Sequence, residues 1–261
     1  MDRESRLIRS IVEFRESYHD LRAGDAVLGP LALRPGEEFK LLDLAERGVA
    51  LFPPALAQLL ARSKAAQAEV LGEFMGPGTF VAYGLGDLAA NLSRFASRHR
   101  GAVVSKRDRG HLGLGVGCWP SLESLFSLAG LQPMPYPLVV QPLLEGARDL
   151  RVVVVADYAE AYERVNPHSF RKNLYQGGAS RPAALSPAHL LFCRQVMARG
   201  KFPYAILDLL VGPDGETYLS EINLRGGLTG ARLRQAEFLR RVAALAEEFC
   251  RIWADSVKSP V

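Results

Sequence analysis

The sequence predicts an α+β fold in which helices are mixed with antiparallel hairpins. Two apolar runs rich in strand-forming residues, 204–211 and 217–222, flank a Gly-Pro-Asp-Gly turn. Residues 150–165 form a second pair of strand-like runs that turn near Asp157. Amphipathic stretches such as 231–254 predict helices alongside these hairpins. This mixture favours α+β layers over a purely parallel sheet.

The bulk composition is that of ordinary globular proteins. The chain has 261 residues, of which 48% are hydrophobic and 23% are charged, enough for one large domain or two small ones. No apolar run reaches the roughly 18 residues of a membrane helix. The charged N-terminal segment also lacks the apolar core of a signal peptide. We therefore expect a cytoplasmic protein with no membrane partner.

Charge and cysteine content narrow the class of ligand. The net charge of +4 is modest and scattered, which suits a phosphate-bearing small molecule at least as well as nucleic acid. We expect no nucleic-acid partner. Cys118, Cys193 and Cys250 are far apart and form no paired ligand motif, which argues against a zinc site or a disulfide framework.

Three regions follow one another along the chain. Residues 75–78, Met-Gly-Pro-Gly, have the composition of a boundary. Residues 1–75 contain too few elements for a full doubly wound domain, so we expect a short, truncated α/β region there. Its predicted elements are a helix at 3–22, a short strand at 26–28, a helix at 37–47, a strand at 49–52, and a long alanine-rich helix from Pro53 to about Phe74.

The two later regions, 76–140 and 141–261, each mix strands with helices. The first contains strands at 79–83, 102–106 and 137–141, helices at 86–99 and 121–130, and a glycine-rich turn after the second strand. The second contains the 150–165 hairpin, an unpatterned stretch at 166–181, a helix from Ser186 to Gly200, and the final hairpin and helix.

The final hairpin carries three oxygen-bearing side chains that are expected to converge. Glu221 and Asn223 lie two residues apart on one strand and project from the same face, and Asp208 interrupts the apolar partner strand. An ionised acid in such a run is costly to desolvate unless it is paired. A divalent cation held by carboxylate and amide oxygens would pair it. The alternative is an ordinary hairpin in which Asp208 is hydrogen-bonded near the sheet end and the other two side chains are solvated.

A lysine and a glycine-rich segment mark the end of the predicted strand at 102–106. Lys106 is followed by Gly110, Gly113, Gly115 and Gly117. Glycines let backbone N–H groups approach phosphate oxygens, and a nearby lysine adds a point charge. The segment has the spacing of neither a Walker loop nor a dinucleotide fingerprint, so a flexible surface turn is the alternative.

The linker after the predicted strand at 137–141 can present backbone groups to a purine. It runs from Pro142 to Gly146 and is followed by Asp149, whose carboxylate suits ribose hydroxyls. An ion pair between Asp149 and Arg151, or a solvated loop acid, are the alternatives.

A cationic loop lies in the unpatterned stretch. Arg171, Lys172 and Asn173 follow Arg164 and His168. A loop that closes over a triphosphate has this composition, and so does an ordinary exposed loop. The histidines are expected to be structural or surface groups, because none pairs with a nucleophile in a recognisable triad.

Taken in order, these motifs resemble those of ATP-grasp ligases. A strand lysine with a glycine-rich hairpin is followed by Gln-x-x-x-Glu-Gly and Asp-x-Arg, then Arg-Lys-Asn, then Asp and Glu-x-Asn. Within that superfamily the sequence is most similar to the RimK and glutathione-synthetase-like group, over roughly residues 79–235. The resemblance implies an ATP-grasp fold, in which two α+β subdomains clasp a nucleotide behind the short N-terminal region.

The resemblance also implies a role for each motif. Lys106 would contact phosphates beneath a glycine-rich lid, the linker would touch adenine through its backbone, and Asp149 would bind the ribose. The implied ATP contacts are Lys106, Gly110, Gly113, Gly115, Gln141, Pro142, Leu143, Glu145, Asp149, Arg171, Lys172 and Asn173. The implied ligands of two Mg²⁺ or Mn²⁺ ions are Asp208, Glu221 and Asn223, and the cations expected to assist catalysis are Arg225, Arg164 and Lys106.

The implied activity is an ATP-dependent ligation of a carboxylate to an amine through an acyl phosphate, which yields ADP and phosphate. The amine acceptor would be an amino acid, a peptide or a protein, and homo-oligomerisation is compatible with the sequence. Two alternatives are a kinase that stops at phosphoryl transfer and a non-catalytic module that binds ATP and metal.

Three departures from the family pattern bear on the substrate. Arg107 follows the strand lysine where proline is usual, and residues 224–227 read Leu-Arg-Gly-Gly where a Ser/Thr-Pro-Gly run is common. The N-terminal region is also shorter than the customary substrate-binding domain. The substrate pocket is therefore expected to be unusual.

Overall fold

The computed structural model describes residues 4–96, 101–110, 114–169, 172 and 177–258. Within them the chain forms three sheets. The first is parallel and is built from β1 (Leu7–Ile8), β2 (Ala26–Leu28) and β3 (Ala50–Phe52), with α1 (Ile11–Ser17) and α2 (Phe39–Glu46) in the connections. The predicted helix at 3–22 is wrong at its start, because Leu7 and Ile8 pair with β2 and Ser10 caps the N-terminus of α1.

The alanine-rich stretch from Pro53 to Phe74 is not the single helix that was predicted. It divides into α3 (Ala55–Leu60), α4 (Lys64–Val70) and a 3₁₀ turn at Gly72–Phe74. The break follows from Ser63, whose hydroxyl accepts a hydrogen bond from the Ala66 N–H at 3.0 Å and starts a new helix. As a result, the N-terminus of α4 is directed toward the other two sheets.

The second sheet and its helices comprise β4 (Phe80–Ala82), α5 (Leu85–Ala96), β5 (Val103–Arg107), β6 (Val116–Trp119), α6 (Leu122–Leu131) and β7 (Leu138–Pro142). The sheet is antiparallel with strand order β4-β7-β5-β6. Helices α5 and α6 pack against it, and its core includes Leu88, Val103, Leu125 and Val140. Strand β6 was not predicted, because its sequence continues the glycine-rich run.

The third sheet is also antiparallel, with order β10-β9-β8-β11-β12. Its strands are β8 (Arg148–Val155), β9 (Tyr158–Val165), β10 (Ala179–Ala183), β11 (Tyr204–Val211) and β12 (Thr217–Asn223). Both predicted hairpins are therefore confirmed. Strand β10 was missed because it is an exposed edge strand that contains Pro182.

Two further helices complete the chain. Helix α7 (Pro187–Gly200) begins at the Ser186 cap as predicted, and α8 (Gln235–Lys258) begins four residues later than predicted. The delay has a local cause, because the backbone N–H groups of Arg232 and Leu233 donate to the buried Glu160 carboxylate instead of entering a helix. No helix in the described part of the chain is both long and apolar enough to cross a membrane.

The buried hydrophobic side chains of the described residues form three clusters, one beside each sheet. The cluster beside the third sheet also contains Phe52, Ala57 and Leu60 from the N-terminal region, and Phe52 contacts Phe249 of α8 with ring centroids 5.4 Å apart. The N-terminal region thus shares a core with the third sheet. The three-region division at residues 75 and 140 stays a prediction.

Candidate active site

A bulge in the β11–β12 hairpin sets the geometry of the site. Leu207 pairs with Ile222 and Leu209 with Leu219, and these four side chains are buried on one face of the sheet. The register shifts between Asp208 and Leu209, so β12 has one extra residue there. The opposite face of the sheet carries Asp208, which is paired directly with Glu221. The predicted convergence of these two acids is therefore present.

Asp208 belongs to a buried charge network on that face. Arg151, which is directly opposite Asp208 on β8, donates to both carboxylate oxygens at 2.7 and 2.9 Å. Arg164 lies 3.0 Å from one of these oxygens. Arg164 also donates to Asp149 at 2.7 Å. Burial raises the pKa of Asp208, but the two guanidinium groups outweigh burial and hold that pKa well below its ordinary value. Asp149 thus pairs with Arg164, and Arg151 pairs with Asp208 rather than with Asp149.

Glu221 is held from two sides. Its carboxylate accepts from the Lys64 ammonium group at 3.2 Å and from the Asn223 amide at 3.1 Å. Lys64 lies at the first position of α4, and that helix is fixed to the sheet edge by Gln67, whose amide bonds both the N–H and the C=O of Ile222 at 3.0 and 2.9 Å. Glu221 and Asn223 are partly exposed, which leaves their remaining oxygens accessible.

Lys106 projects from β5 toward the bulge on β12. Its ammonium group donates to the Ser220 hydroxyl at 3.0 Å and to the Ser220 carbonyl at 3.3 Å. Burial lowers the pKa of Lys106 from 10.5 to about 8, although Glu221, Asp208 and Asp149 oppose that change. Lys106 is partly buried and forms no direct ion pair with any described residue, so its ammonium group is available to an anion.

The glycine-rich hairpin is docked on the N-terminus of α4. Asp108 accepts hydrogen bonds from the Ser63 hydroxyl at 2.8 Å and the Ala65 N–H at 2.9 Å. Lys64 donates to the Gly110 carbonyl at 2.7 Å. Gly110 has no room for a side chain, because a Cβ atom there would lie 2.6 Å from the Leu114 carbonyl oxygen. Gly115 has a φ of +78°, in the left-handed region that glycine adopts freely.

The linker that follows β7 borders the site opposite β12. The Leu143 N–H donates to the Ala102 carbonyl at 2.8 Å, so it is already engaged. The N–H groups of Leu144 and Glu145 donate to no other described residue. The Gln141 amide lies 3.5 Å from the Thr79 hydroxyl, and Lys172 donates to the Ala147 carbonyl.

These parts enclose one cavity of about 1240 Å³. Its walls come from the N-terminal region, the second sheet, the linker and the third sheet. The predicted site residues that line it are Lys106, Gly110, Gln141, Pro142, Leu143, Glu145, Asp149, Arg164, Lys172, Asp208, Glu221, Asn223 and Arg225. Gly115 lies in the hairpin turn and is not part of the wall. Gly113, Arg171 and Asn173 lie outside the described residues.

The oxygen-bearing side chains have the donor chemistry of a magnesium site. Two carboxylates and one amide are hard oxygen ligands, although the described residues contain no group of three His, Cys, Asp or Glu spaced for a metal ion. Asp208 receives three guanidinium nitrogens, and a carboxylate has about four lone-pair positions, so little of its capacity remains. Glu221 and Asn223 fit a cation better than Asp208 does.

The sequence motifs did not predict that Lys64 and Arg62 line the cavity. Both lie in a stretch that was predicted to be one uninterrupted helix, and in such a helix their side chains would have other directions. The available signal was Ser63, because a serine followed by a helical run predicts a new helix N-terminus. Nothing local in the sequence indicates that Lys64 meets Glu221, which is 157 positions away.

The fold and sequence were compared with those of known proteins. A family model described as a RimK-like ATP-grasp domain matches residues 60–238. A search of curated proteins finds no match. Similar solved structures include the D-alanine-D-alanine ligase from Coxiella burnetii, with a TM-score of 0.61 and 16% identity over 90% of this chain and 73% of that one.

Two other similar structures have comparable scores. The D-alanyl-alanine synthetase A from Vibrio cholerae has a TM-score of 0.55 and 16% identity over 85% of this chain and 76% of that one. The macrocyclase MdnC from Microcystis aeruginosa, solved with a precursor peptide, has a TM-score of 0.52 and 19% identity over 87% and 78%. These likenesses confirm the ATP-grasp fold, and because the family model covers more than half of the sequence, the chain belongs to the RimK-like ATP-grasp family.

Proposed function

We propose that the protein is an ATP-dependent carboxylate–amine ligase. The observation that carries this proposal is the single cavity in which Lys64 and Lys106 approach Glu221 from two different structural regions. Cations and oxygen ligands gathered at one point suit a triphosphate with its metal ion. Membership of the RimK-like ATP-grasp family supports the same reading.

The adenine base would lie against the linker after β7. The N–H groups of Leu144 and Glu145, which have no acceptor in the described part of the chain, and the carbonyl groups of Pro142 and Leu143 offer donors and acceptors for a purine edge. The Leu143 N–H is unsuited to this role because it bonds Ala102. From the linker, the triphosphate would extend toward Lys106 and Lys64.

The proposed reaction has two steps. A carboxylate oxygen of the substrate attacks the γ-phosphorus, the bond to the bridging oxygen breaks, and ADP leaves. The amine nitrogen then attacks the acyl carbon, phosphate leaves with the oxygen that linked it to that carbon, and the nitrogen loses a proton as the amide forms. Lys106 and Lys64 would hold the phosphates in line for the first step.

Glu221 and Asn223 would hold the metal ions in this proposal, and Asp208 would add any oxygen lone pair that its guanidinium partners leave open. Magnesium would supply charge neutralisation on the phosphate oxygens. Arg225 would stabilise negative charge on the acyl group as a cationic donor. Arg164, which is buried between Asp149 and Asp208, supports these side chains, and its direct action on substrate stays a prediction.

An assay of both products tests the proposed reaction. Incubation with ATP, Mg²⁺ and pools of carboxylates and amines is expected to release ADP and free phosphate only when both pools are present. ADP without free phosphate would indicate a kinase, and nucleotide binding without turnover would indicate a binding module.

The same assay, carried out on the Glu221→Gln variant, tests the proposed site. The substitution is expected to abolish turnover without unfolding the protein, because Glu221 is partly exposed. Glu247→Gln, on the exposed surface of α8, is the matched control and should retain full activity. Unchanged ADP release by folded Glu221→Gln would remove this residue from the site.

A further inference from the structure

One end of the cavity is formed by the N-terminal region. At that end lie three arginines from three different structural regions. Arg62 precedes α4, Arg109 lies in the β5–β6 hairpin, and Arg225 follows β12. We refer to Arg62, Arg109 and Arg225 as the arginine cluster. All three line the cavity beside the segment Pro30–Leu33.

The positive charge of the arginine cluster exceeds the negative charge of the described carboxylates that contact it. Arg109 pairs with Glu38 at 2.5 Å and lies 3.6 Å from Asp108. Among the described residues, neither Arg62 nor Arg225 has a carboxylate within 4.0 Å. Burial lowers the pKa of Arg62, and the positive charges of Arg225 and Arg109 lower it further against the opposing effect of Glu38. An anion that enters this end of the cavity would relieve that repulsion.

The guanidinium groups are held in position by backbone carbonyls. Arg225 donates to the Pro30 carbonyl at 3.2 Å, and Arg62 donates to the carbonyls of Leu31 and Leu33. Gln58 in turn fixes this segment by accepting from the Leu31 N–H at 2.9 Å. A guanidinium group has five N–H donors, and neutral carbonyls use only some of them. The cluster is thus a fixed set of donors without an anionic partner for two of its members.

The cluster adjoins the end of the cavity that contains Glu221 and Asn223. Arg225 lies two residues beyond Asn223, so their Cα atoms are at most about 7 Å apart. The cavity of about 1240 Å³ exceeds the range of roughly 300–1000 Å³ that is usual for one ligand. It has room for a nucleotide and for a small substrate that extends toward the arginines.

We propose that the arginine cluster binds a second carboxylate of the substrate, so that the substrate is a short dicarboxylic acid of which one carboxylate is activated and the other is held. This inference rests on the proposed function. Two guanidinium groups suit a carboxylate because they can donate to both of its oxygens, and the closeness of Arg225 to Asn223 in the chain favours a short diacid.

Calorimetric titration tests the assignment. The full chain, saturated with ADP and Mg²⁺, is titrated with succinate, glutarate and adipate and with the half-amide of each. At least one diacid is expected to bind about tenfold tighter than its half-amide. Arg225→Gln should abolish that difference, Arg225→Lys should restore part of it, and Arg240→Gln, an exposed arginine on α8, should leave it unchanged.

Several outcomes of this titration would contradict the proposed binding of a second carboxylate. Equal binding of diacid and half-amide, no binding of any diacid, or a loss of ADP affinity in Arg225→Gln with unchanged diacid affinity would each overturn the assignment. If the unmodified chain fails to bind ADP, the proposed function is contradicted instead. The diacid series is then compared without nucleotide, where the same tenfold difference is required.

Discussion

At the scale of single residues, the two acids of the hairpin have different surroundings. Asp208 is buried and its charge is compensated by Arg151 and Arg164 within the sheet. Glu221 is partly exposed, and its partners Lys64 and Asn223 belong to the cavity wall. We therefore expect Asp208 to contribute mainly to stability and Glu221 mainly to catalysis.

Substitution of each acid by its amide separates these contributions. Asp208→Asn should lower the free energy of unfolding by about 3 kcal/mol, because it leaves the Arg151 guanidinium without a counter-charge and Arg164 with Asp149 alone. Glu221→Gln should lower it by less than about 1 kcal/mol. Urea denaturation of both variants measures the difference. A loss at Glu221 equal to that at Asp208 would contradict the distinction.

Removal of the Lys106 ammonium group should weaken nucleotide binding. A charge-assisted contact contributes about 1.5–3 kcal/mol, so Lys106→Ala is expected to reduce the affinity for ATP at least about tenfold. Lys40→Ala, which removes a lysine outside the cavity, is the control. Wild-type affinity of Lys106→Ala in a binding titration would exclude the assigned contact.

The lowered pKa of Lys106 gives nucleotide binding a defined pH dependence. Above pH about 8 the free protein has lost the Lys106 proton, and a bound triphosphate restores it by favouring the charged amine. ATP affinity should therefore fall as the pH rises through 8, and binding should take up protons there. Calorimetry at pH 8 in two buffers of different ionisation enthalpy measures this uptake, which Lys106→Met should eliminate. Equal uptake in that variant would assign the proton to another group.

At the scale of secondary structure, α4 is the element that completes the site. Gln67 bonds the N–H and C=O groups of Ile222 on the outer edge of β12, which places Lys64 over Glu221. The helix therefore positions Lys64, which we propose binds phosphate, and it also covers an edge strand.

Gln67→Ala is expected to affect both stability and catalysis. It leaves the Ile222 N–H and C=O groups without partners, at a cost of about 1–3 kcal/mol in the free energy of unfolding. Turnover should fall as well, because Lys64 loses its fixed position. Gln132→Ala, at an exposed position after α6, should change neither. A stable Gln67→Ala variant with full turnover would contradict this account.

The elements differ in how much of their structure the sequence predicts. Both hairpins of the third sheet were predictable, because strand-forming runs and a Gly-Pro-Asp-Gly turn are local signals. The break between α3 and α4 was missed because alanine content favours a continuous helix, whereas the Ser63 cap and its bond to Asp108 determine the outcome. The contact between Lys64 and Glu221 depends on packing across the chain and has no local signal.

At the scale of the whole molecule, the cavity exists only because three regions meet. The N-terminal region contributes Arg62 and Lys64, the second sheet contributes Lys106, and the third sheet contributes Glu221 and Asn223. The motifs predicted most of the residues at the end of the cavity where we propose that the nucleotide binds. The arginine cluster was recognised only in part, through Arg225, because its other members come from elements that are distant in sequence.

Transfer of a labelled oxygen tests the central claim most directly. The enzyme is incubated with ATP, Mg²⁺, amines and carboxylates whose carboxylate oxygens are ¹⁸O, and the released phosphate is examined by mass spectrometry. The account predicts one ¹⁸O atom in each phosphate, because the carboxylate oxygen leaves with the phosphoryl group. Unlabelled phosphate, or release of AMP and pyrophosphate in place of ADP, would contradict it.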